Sequence, residues 1–282
     1  MRRWIHRVRE RLAQNGRGPE HALQEPSNPR SSSASPLTLS DWKSQDPGLA
    51  QWSTRHLSET AKKWLAGAET DVDLVRELAP NLFELSGFFD PDWTRRLSEE
   101  LSRVQNWTST EDVRYSPPNS MHYAGFEVAP IGWGDLMNQL SEELITQLAH
   151  RLYPDREWPV LSDGHGFVAQ YGEAADRSLG LHVDDSDVTM TLCLGSDFEG
   201  SEIVFEGIRC PLHQQTHNTE AERVIVAPVP GNALIHLGAH RHRVSSLLSG
   251  HRQSLILWAR GASTRDERLG ISLSECPDWC DF

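Results

Sequence analysis

The sequence is short of three things, and each shortage closes off a class of protein. Its 282 residues contain no apolar run approaching the ~20 residues that cross a bilayer as a helix, so no membrane span is expected. Cysteine is scarce, with four residues in all. Cys193 and Cys210 fall in strand-like or turn segments, poor material for a disulfide framework, and this usage suits a reducing, cytoplasmic setting. Basic charge is outweighed: 27 Lys and Arg stand against 40 Asp and Glu, for a net charge of −13, and no nucleic-acid partner is expected. The one Arg-rich stretch, MRRWIHRVRERLAQNGRG at the start, has no apolar h-region and is not a secretory signal. An organelle-targeting segment and a basic solvated tail both fit it.

What is present divides the chain into three. Residues 1–50 include SNPRSSSASPLTLSD and show little periodicity, which predicts a flexible segment. Residues 51–160 read as a helical flanking region. RHLSETAKKWLAG is a short helix closed by Gly67. FFDPDWTRRLSEELSRV starts a helix with Asp90 as N-cap and Pro91 at the first helical position. WGDLMNQLSEELITQLAHRLY sets Leu136, Leu140, Leu144 and Leu148 on one stripe. From residue 161 to 282 the runs become short and β-rich: GFVAQY, VTMTLCL, EIVF, RVIVA, ALIHL, RVSSLL and QSLILWAR, separated by turn residues. Strands at this spacing without intervening helices predict an antiparallel sandwich or barrel, hence an α+β chain with a mainly β core.

Two clusters carry the chemistry. LHVDDSDVTMTLCLG sets His182, Asp184 and Asp185 at the mouth of a strand, where a solvated turn and a metal site are both open readings. Strand alternation would put His182 and Asp184 on one face, with Val183 and Asp185 opposite. Several strands later, ALIHLGAHRHRVSSLLSGHRQSLILW supplies His236, His240 and His242, with Arg252 and Trp258 on the next strand. Two imidazoles and one carboxylate make the facial triad that holds non-haem Fe(II) and leaves positions open. An arginine nearby suits the far carboxylate of a chelating keto acid. His165, His213, His217 and His251 read as solvated loop positions. CPDWCDF, with Cys276 and Cys280, has no second Cys pair and reads as a capping loop rather than a metal knuckle.

From about Leu82 to Arg265 the chain resembles the Fe(II)/2-oxoglutarate-dependent oxygenases of the prolyl- and lysyl-hydroxylase-like branch. Within that branch it is most similar to the 2-oxoglutarate and iron-dependent oxygenase domain-containing proteins. His182 and Asp184 match the family's His-x-Asp; His242, Gly250, Arg252 and Trp258 match its later spacing; Tyr171 matches a tyrosine ahead of the first motif. FEGSEIVFEG resembles the family's Phe-x-Gly-Gly connection, with Ser201 in place of the second Gly. PPNSMHYAG resembles a Pro-Asn-Ser-Met stretch of the subgroup, with Ala124 where an aromatic is usual. The resemblance implies a double-stranded β-helix (jelly roll) with flanking N-terminal helices. It implies Fe(2+) on His182, Asp184 and His242, and 2-oxoglutarate held by Arg252 and Tyr171. O2 would be the oxidant, with ascorbate as an accessory reductant, and His236 and His240 would be packing residues around the ligands. The implied activity is hydroxylation of an unidentified protein side chain or small molecule with release of succinate and CO2. Two alternatives stand beside it: a catalytically inactive jelly-roll metal-binding or scaffold protein, and a cupin-like metal enzyme that makes no use of 2-oxoglutarate.

Overall fold

The computed structural model describes residues 35–68, 73–173, 175–195, 197–209, 213 and 216–262. Its first half is built from β1 (Leu37–Thr38), helix α1 (Glu59–Leu65), β2 (Val75–Ala79), β3 (Leu82–Leu85), helix α2 (Pro91–Thr110), β4 (Val113–Arg114) and β5 (Gly125–Glu127). Helices α3 (Gly134–Gln139) and α4 (Thr146–Leu152) follow, joined by a wide-turned segment, Leu140–Ile145. The second half is all strand: β6 (Asp163–Tyr171), β7 (Leu179–His182), β8 (Val188–Cys193), β9 (Asp197–Gly200), β10 (Ile203–Ile208), β11 (Arg223–Val226), β12 (Ala233–Leu237), β13 (His240–Val244) and β14 (Leu247–Arg260). Among the described residues no helix is long and apolar enough to cross a membrane.

The strand order is that of a jelly roll. The larger sheet runs β2-β3-β12-β8-β14-β6-β5, with β9 also on β14, and the smaller runs β11-β10-β13-β7. Leaving β9 aside, the chain from β6 onward deals its strands between the two sheets in the double-stranded β-helix pattern. Side-chain alternation then gives each strand of the larger sheet two jobs. Val168, Val188, Met190, Leu192, Ile235, Leu255 and Leu257 face a helical layer made by Trp93, Leu97 and Leu101 of α2 and by Leu136, Leu144 and Leu148 around α3 and α4. Their sequence neighbours Phe167, Ala169, Tyr171, Thr191, His236, Arg252, Ser254, Ile256 and Trp258 line the space between the sheets.

Local chemistry starts these elements where the sequence predicts. Asp90 caps α2 by accepting from the Trp93 N–H at 3.0 Å. Ser58 caps α1, and Gly67 lies just past that helix at φ +92°. The expected single helix from Trp133 to Tyr153 contains the wide turn, where the Ser141 hydroxyl donates to Leu161 O and the Thr146 hydroxyl to Ser141 O.

Two expectations on organisation need correcting. Residues 36–50 are built into the fold: Leu37–Thr38 pairs in parallel with Val113–Arg114, Leu39 and Leu49 are buried in the helical layer, and Asp46 takes two bonds from Arg96. These contacts join residues ~50 or more positions apart, which local composition does not register. Residues 1–34, also expected to be flexible, lie outside the described residues. The region 51–160 is more than helical, because β2, β3 and β5 extend the larger sheet. LFEL of β3 is buried throughout and pairs with β12.

The helical layer also holds a titratable group in an apolar stack. His56 is buried, with its ring 5.1 Å from Trp93 and 5.6 Å from Trp52. Burial, helped by the charges of Arg55 and Arg96, holds it at about 4 against an ordinary 6.5. The folded value lies below the unfolded one, so unfolded chains take up a proton in that window which folded chains refuse. Stability therefore falls as pH drops from 6.5 toward 4. His56→Phe keeps the ring stack and removes the proton. Urea titrations at pH 7 and pH 5 should show the variant losing roughly 2 kcal/mol less on acidification than the parent chain.

Candidate active site

The sheets enclose a cavity of about 310 Å³, and the two histidine-bearing motifs converge on it. His182 ends β7 and stands directly opposite His242 on β13. Their rings lie 4.2 Å apart, centre to centre. Asp184 lies beyond the end of β7, so strand alternation is not what aims it. Its N–H donates to Gly238 O at 2.9 Å, and the Gly238 N–H donates back to Asp187 O at 3.2 Å. Gly238 sits in the turn between β12 and β13, where a Cβ would fall 2.0 Å from Ser186 O; glycine is what lets the turn close on the aspartate loop.

Imidazole orientation is inherited from the backbone. The Nδ1 atoms of His182, His242 and His236 lie 2.8, 2.9 and 2.9 Å from the carbonyl oxygens of Gly180, His240 and Leu237. A carbonyl only accepts, so each Nδ1 carries the proton and each Nε2 presents a lone pair. All three lone pairs face one carboxylate: His182 Nε2 and His242 Nε2 are 3.6 and 3.8 Å from Asp184 Oδ1, and His236 Nε2 is 3.8 Å from Oδ2. One ligand atom from each of His182, Asp184 and His242 lies within 4.8 Å of the others. Burial holds His182 and His236 down to about 4. Asp184 is 3% exposed; burial alone would raise its pKa, but His242, His182, His236 and the Thr189 hydroxyl outweigh that and keep it low. An aspartyl oxygen among imidazole Nε2 atoms is the donor chemistry of a borderline divalent cation. The residues present therefore fit iron.

The remaining sequence candidates sort by position. Arg252 is 2% exposed and directly opposite Tyr171 in the β14–β6 register, its guanidinium carbon 4.4 Å from the Tyr171 ring centre. It donates to Ser201 O at 2.8 Å, while its Nε is buried with no partner among the described residues. Ser201 is itself buried at φ +60°, a left-handed conformation that explains why a glycine belongs there. Burial pushes the Tyr171 phenol up to about 12. Asp185 also lines the cavity, but its carboxylate lies 3.9 Å from Arg260. His240 packs edge-on against Phe205, with its ring 4.9 Å away, and burial holds it at about 3. His165 and His251, expected on solvated loops, instead sit half-buried in β6 and β14; the His165 ring lies tilted against those of Phe167 and Trp258. Cys276 and Cys280 lie outside the described residues.

Two residues at the site, Thr189 and His122, went unremarked in the sequence, and His236, read there as a packing residue, also turns to the carboxylate. Thr189 donates to Asp184 Oδ2 at 2.7 Å, and inward alternation on β8 would have flagged it. His236 faces that same oxygen. His122, from the Pro117–Gly125 stretch, reaches the cavity beside Tyr171.

Comparison with known proteins fits this geometry. Residues 42–157 match the OGFOD2-like domain. The chain is 34% identical over 190 residues to the 2-oxoglutarate and iron-dependent oxygenase domain-containing protein ICU11 of Arabidopsis thaliana, covering 67% of this chain and 48% of that protein. Over the matched part, the chain is similar to the 2-oxoglutarate and iron-dependent oxygenase domain-containing proteins. Protein CP2 of the same plant, which carries that name, is 31% identical over 212 residues, covering 75% of this chain and 53% of its own length. The chain thus spans about half the length of the curated relatives it matches. A Pseudomonas putida prolyl-4-hydroxylase crystal structure is also similar, at 16% identity and a TM-score of 0.47, over 72% of this chain and 98% of that one.

The Thr189 hydroxyl is the shortest bond to the central carboxylate. In metal-free protein, Thr189→Val should cost about 1–3 kcal/mol, because a buried charged oxygen loses a donor without a change of side-chain shape. Urea unfolding at pH 7 measures it.

Proposed function

We propose that the chain is a non-haem Fe(II)- and 2-oxoglutarate-dependent dioxygenase that hydroxylates a substrate. The observation that carries this reading is convergence: two imidazole nitrogens, an aspartyl oxygen and a buried guanidinium face one small cavity. Bound Fe(II) supplies the redox chemistry by which O2 is spent on two partners, one oxygen atom going to succinate as 2-oxoglutarate loses CO2 and the other to a substrate C–H bond.

The protein's own share is orientation. His182 Nε2, His242 Nε2 and an Asp184 oxygen hold the iron, with their directions set by the carbonyls of Gly180 and His240 and by the Thr189 hydroxyl. Arg252 pairs with the far carboxylate of 2-oxoglutarate, a charge-assisted bond strengthened by burial. Tyr171, with its phenol held protonated far above neutral pH, donates a hydrogen bond to the same carboxylate. Trp258, Phe167 and Ile256 keep water from the space beyond. A cavity of about 310 Å³ is at the small end of the ~300–1,000 Å³ usual for ligand pockets. With the co-substrate seated, it admits a single protruding group of the substrate rather than a bulky molecule.

Asp184→Ala and His242→Ala should each abolish succinate formation from 2-oxoglutarate. Arg252→Ala should leave Mn(II) binding intact and raise the 2-oxoglutarate Kd by at least about tenfold. Calorimetry on the Mn(II)-loaded protein reads the Kd; parent protein that takes up metal but no 2-oxoglutarate would overturn the assignment.

A further inference from the structure

His122 is 1% exposed and lines the cavity, yet iron ligation and the Arg252 anchor make no use of it. The residues on either side are exposed: Met121, at the cavity rim, is 43% and Tyr123 67% exposed. A polar ring has been turned inward from an otherwise surface segment, and its surroundings say what for.

The segment is shaped from within by Asn119, whose Oδ1 accepts from the N–H groups of Met121 and His122 at 2.9 and 2.7 Å. It is fastened to the barrel by Asp176, whose Oδ2 accepts from the N–H groups of Tyr123 and Ala124 at 2.6 and 2.8 Å. His122 completes the clasp. Its Nε2 accepts from the Gln170 N–H on β6 at 3.0 Å, so the proton lies on Nδ1, 3.4 Å from Asp176 Oδ2. Nε2 is taken by the backbone, while Nδ1, 3.4 Å from Asp176 Oδ2, is buried with no hydrogen bond among the described residues. What it presents to the site is a face. That ring lies 4.8 Å from the Tyr171 ring, tilted by 53°, and Tyr171 in turn lies 4.4 Å from the Arg252 guanidinium carbon.

We propose that His122 is a positioning residue for the co-substrate seat: its ring, clasped between β6 and Asp176, holds Tyr171 against Arg252. The surface segment Asn119–Ala124 and the 2-oxoglutarate anchor then form one mechanical unit. This rests on the function proposed above. A ring contact of this kind supports roughly a three- to tenfold effect on binding.

The test separates ring from hydrogen bond. His122→Ala, His122→Gln and His122→Phe are loaded with Mn(II), and metal and 2-oxoglutarate affinities are measured in turn by calorimetry. Gln keeps an acceptor for the Gln170 N–H but no ring; Phe keeps the ring but no acceptor. Expected are an unchanged Mn(II) Kd in all three, a 2-oxoglutarate Kd raised roughly three- to tenfold in Ala and Gln, and a Kd within about twofold of the parent in Phe. Equal 2-oxoglutarate affinity in the parent and Gln variants overturns the proposal, as does a Phe variant as weak as Gln. If Ala fails to fold, the Gln–Phe pair decides alone. Parent protein that binds Mn(II) but no 2-oxoglutarate defeats the underlying function instead, a result distinct from parent binding that His122 variants leave untouched.

Discussion

Everything at the site leans on one buried carboxylate. Asp184 is taken out of water at a cost of several kcal/mol for an unpaired charge, and it is kept ionised by what surrounds it. Three imidazoles and one hydroxyl turn toward its two oxygens, each from a different stretch of chain: β7, β13, β12 and β8. No single element brings them together. The backbone bonds of Gly238 to Asp184 and Asp187 hold the aspartate loop, and the turn containing Gly238 crosses between the sheets that carry His236 and His242. The turn and the carboxylate therefore move as a unit. A ligand held this way is oriented before any metal arrives, which is the economy that preorganised sites rely on.

The sandwich serves the site by giving its two faces different company. Along β14, Leu255, Leu257 and Ala259 belong to the core beneath the helices, while Arg252, Ser254, Ile256 and Trp258 border the cavity. The helical layer is thus a brace that lets the opposite face stay polar and partly empty. Without it, the larger sheet would need apolar packing on the side where the chemistry is. The extra strands β2, β3 and β5 broaden that braced surface, and the short β1–β4 pair ties residues 37–38 to the far end of α2.

Much of this was legible in the sequence, for identifiable reasons. The strands announced themselves by β-branched runs between turn residues, and α2 by its Asp90–Pro91 start. The interval from His242 to Arg252 was readable through the resemblance to the family's spacing; the two residues lie on successive strands, β13 and β14, of different sheets. What escaped is held by long-range contacts. His-x-Asp was taken for an alternating pair, but Asp184 lies past the strand and is held by Gly238, 54 positions on by numbering. Residues 36–50 look like linker by composition, yet the burial of Leu39 and Leu49 and the Asp46–Arg96 pair make them part of the helical layer. His122 gave no signal of its own: its partners Gln170, Tyr171 and Asp176 lie some fifty residues away, and only the folded register makes them neighbours.

The division of groups between sheets has a consequence for selectivity. His182 and His242 ride on the smaller sheet; Tyr171 and Arg252 ride on the larger. Facing sheets are typically ~10 Å apart, a spacing fixed by the side chains packed between them. If a dicarboxylate is held as proposed, reaching from one sheet to the other, it is measured against that gap, so carbon count becomes a structural quantity. One methylene fewer would leave the guanidinium short of its partner, and one more would buckle the chain. The barrel's width thus acts as a gauge, and substitutions at Phe205 or Ile203, which line the cavity between the sheets, would reset it.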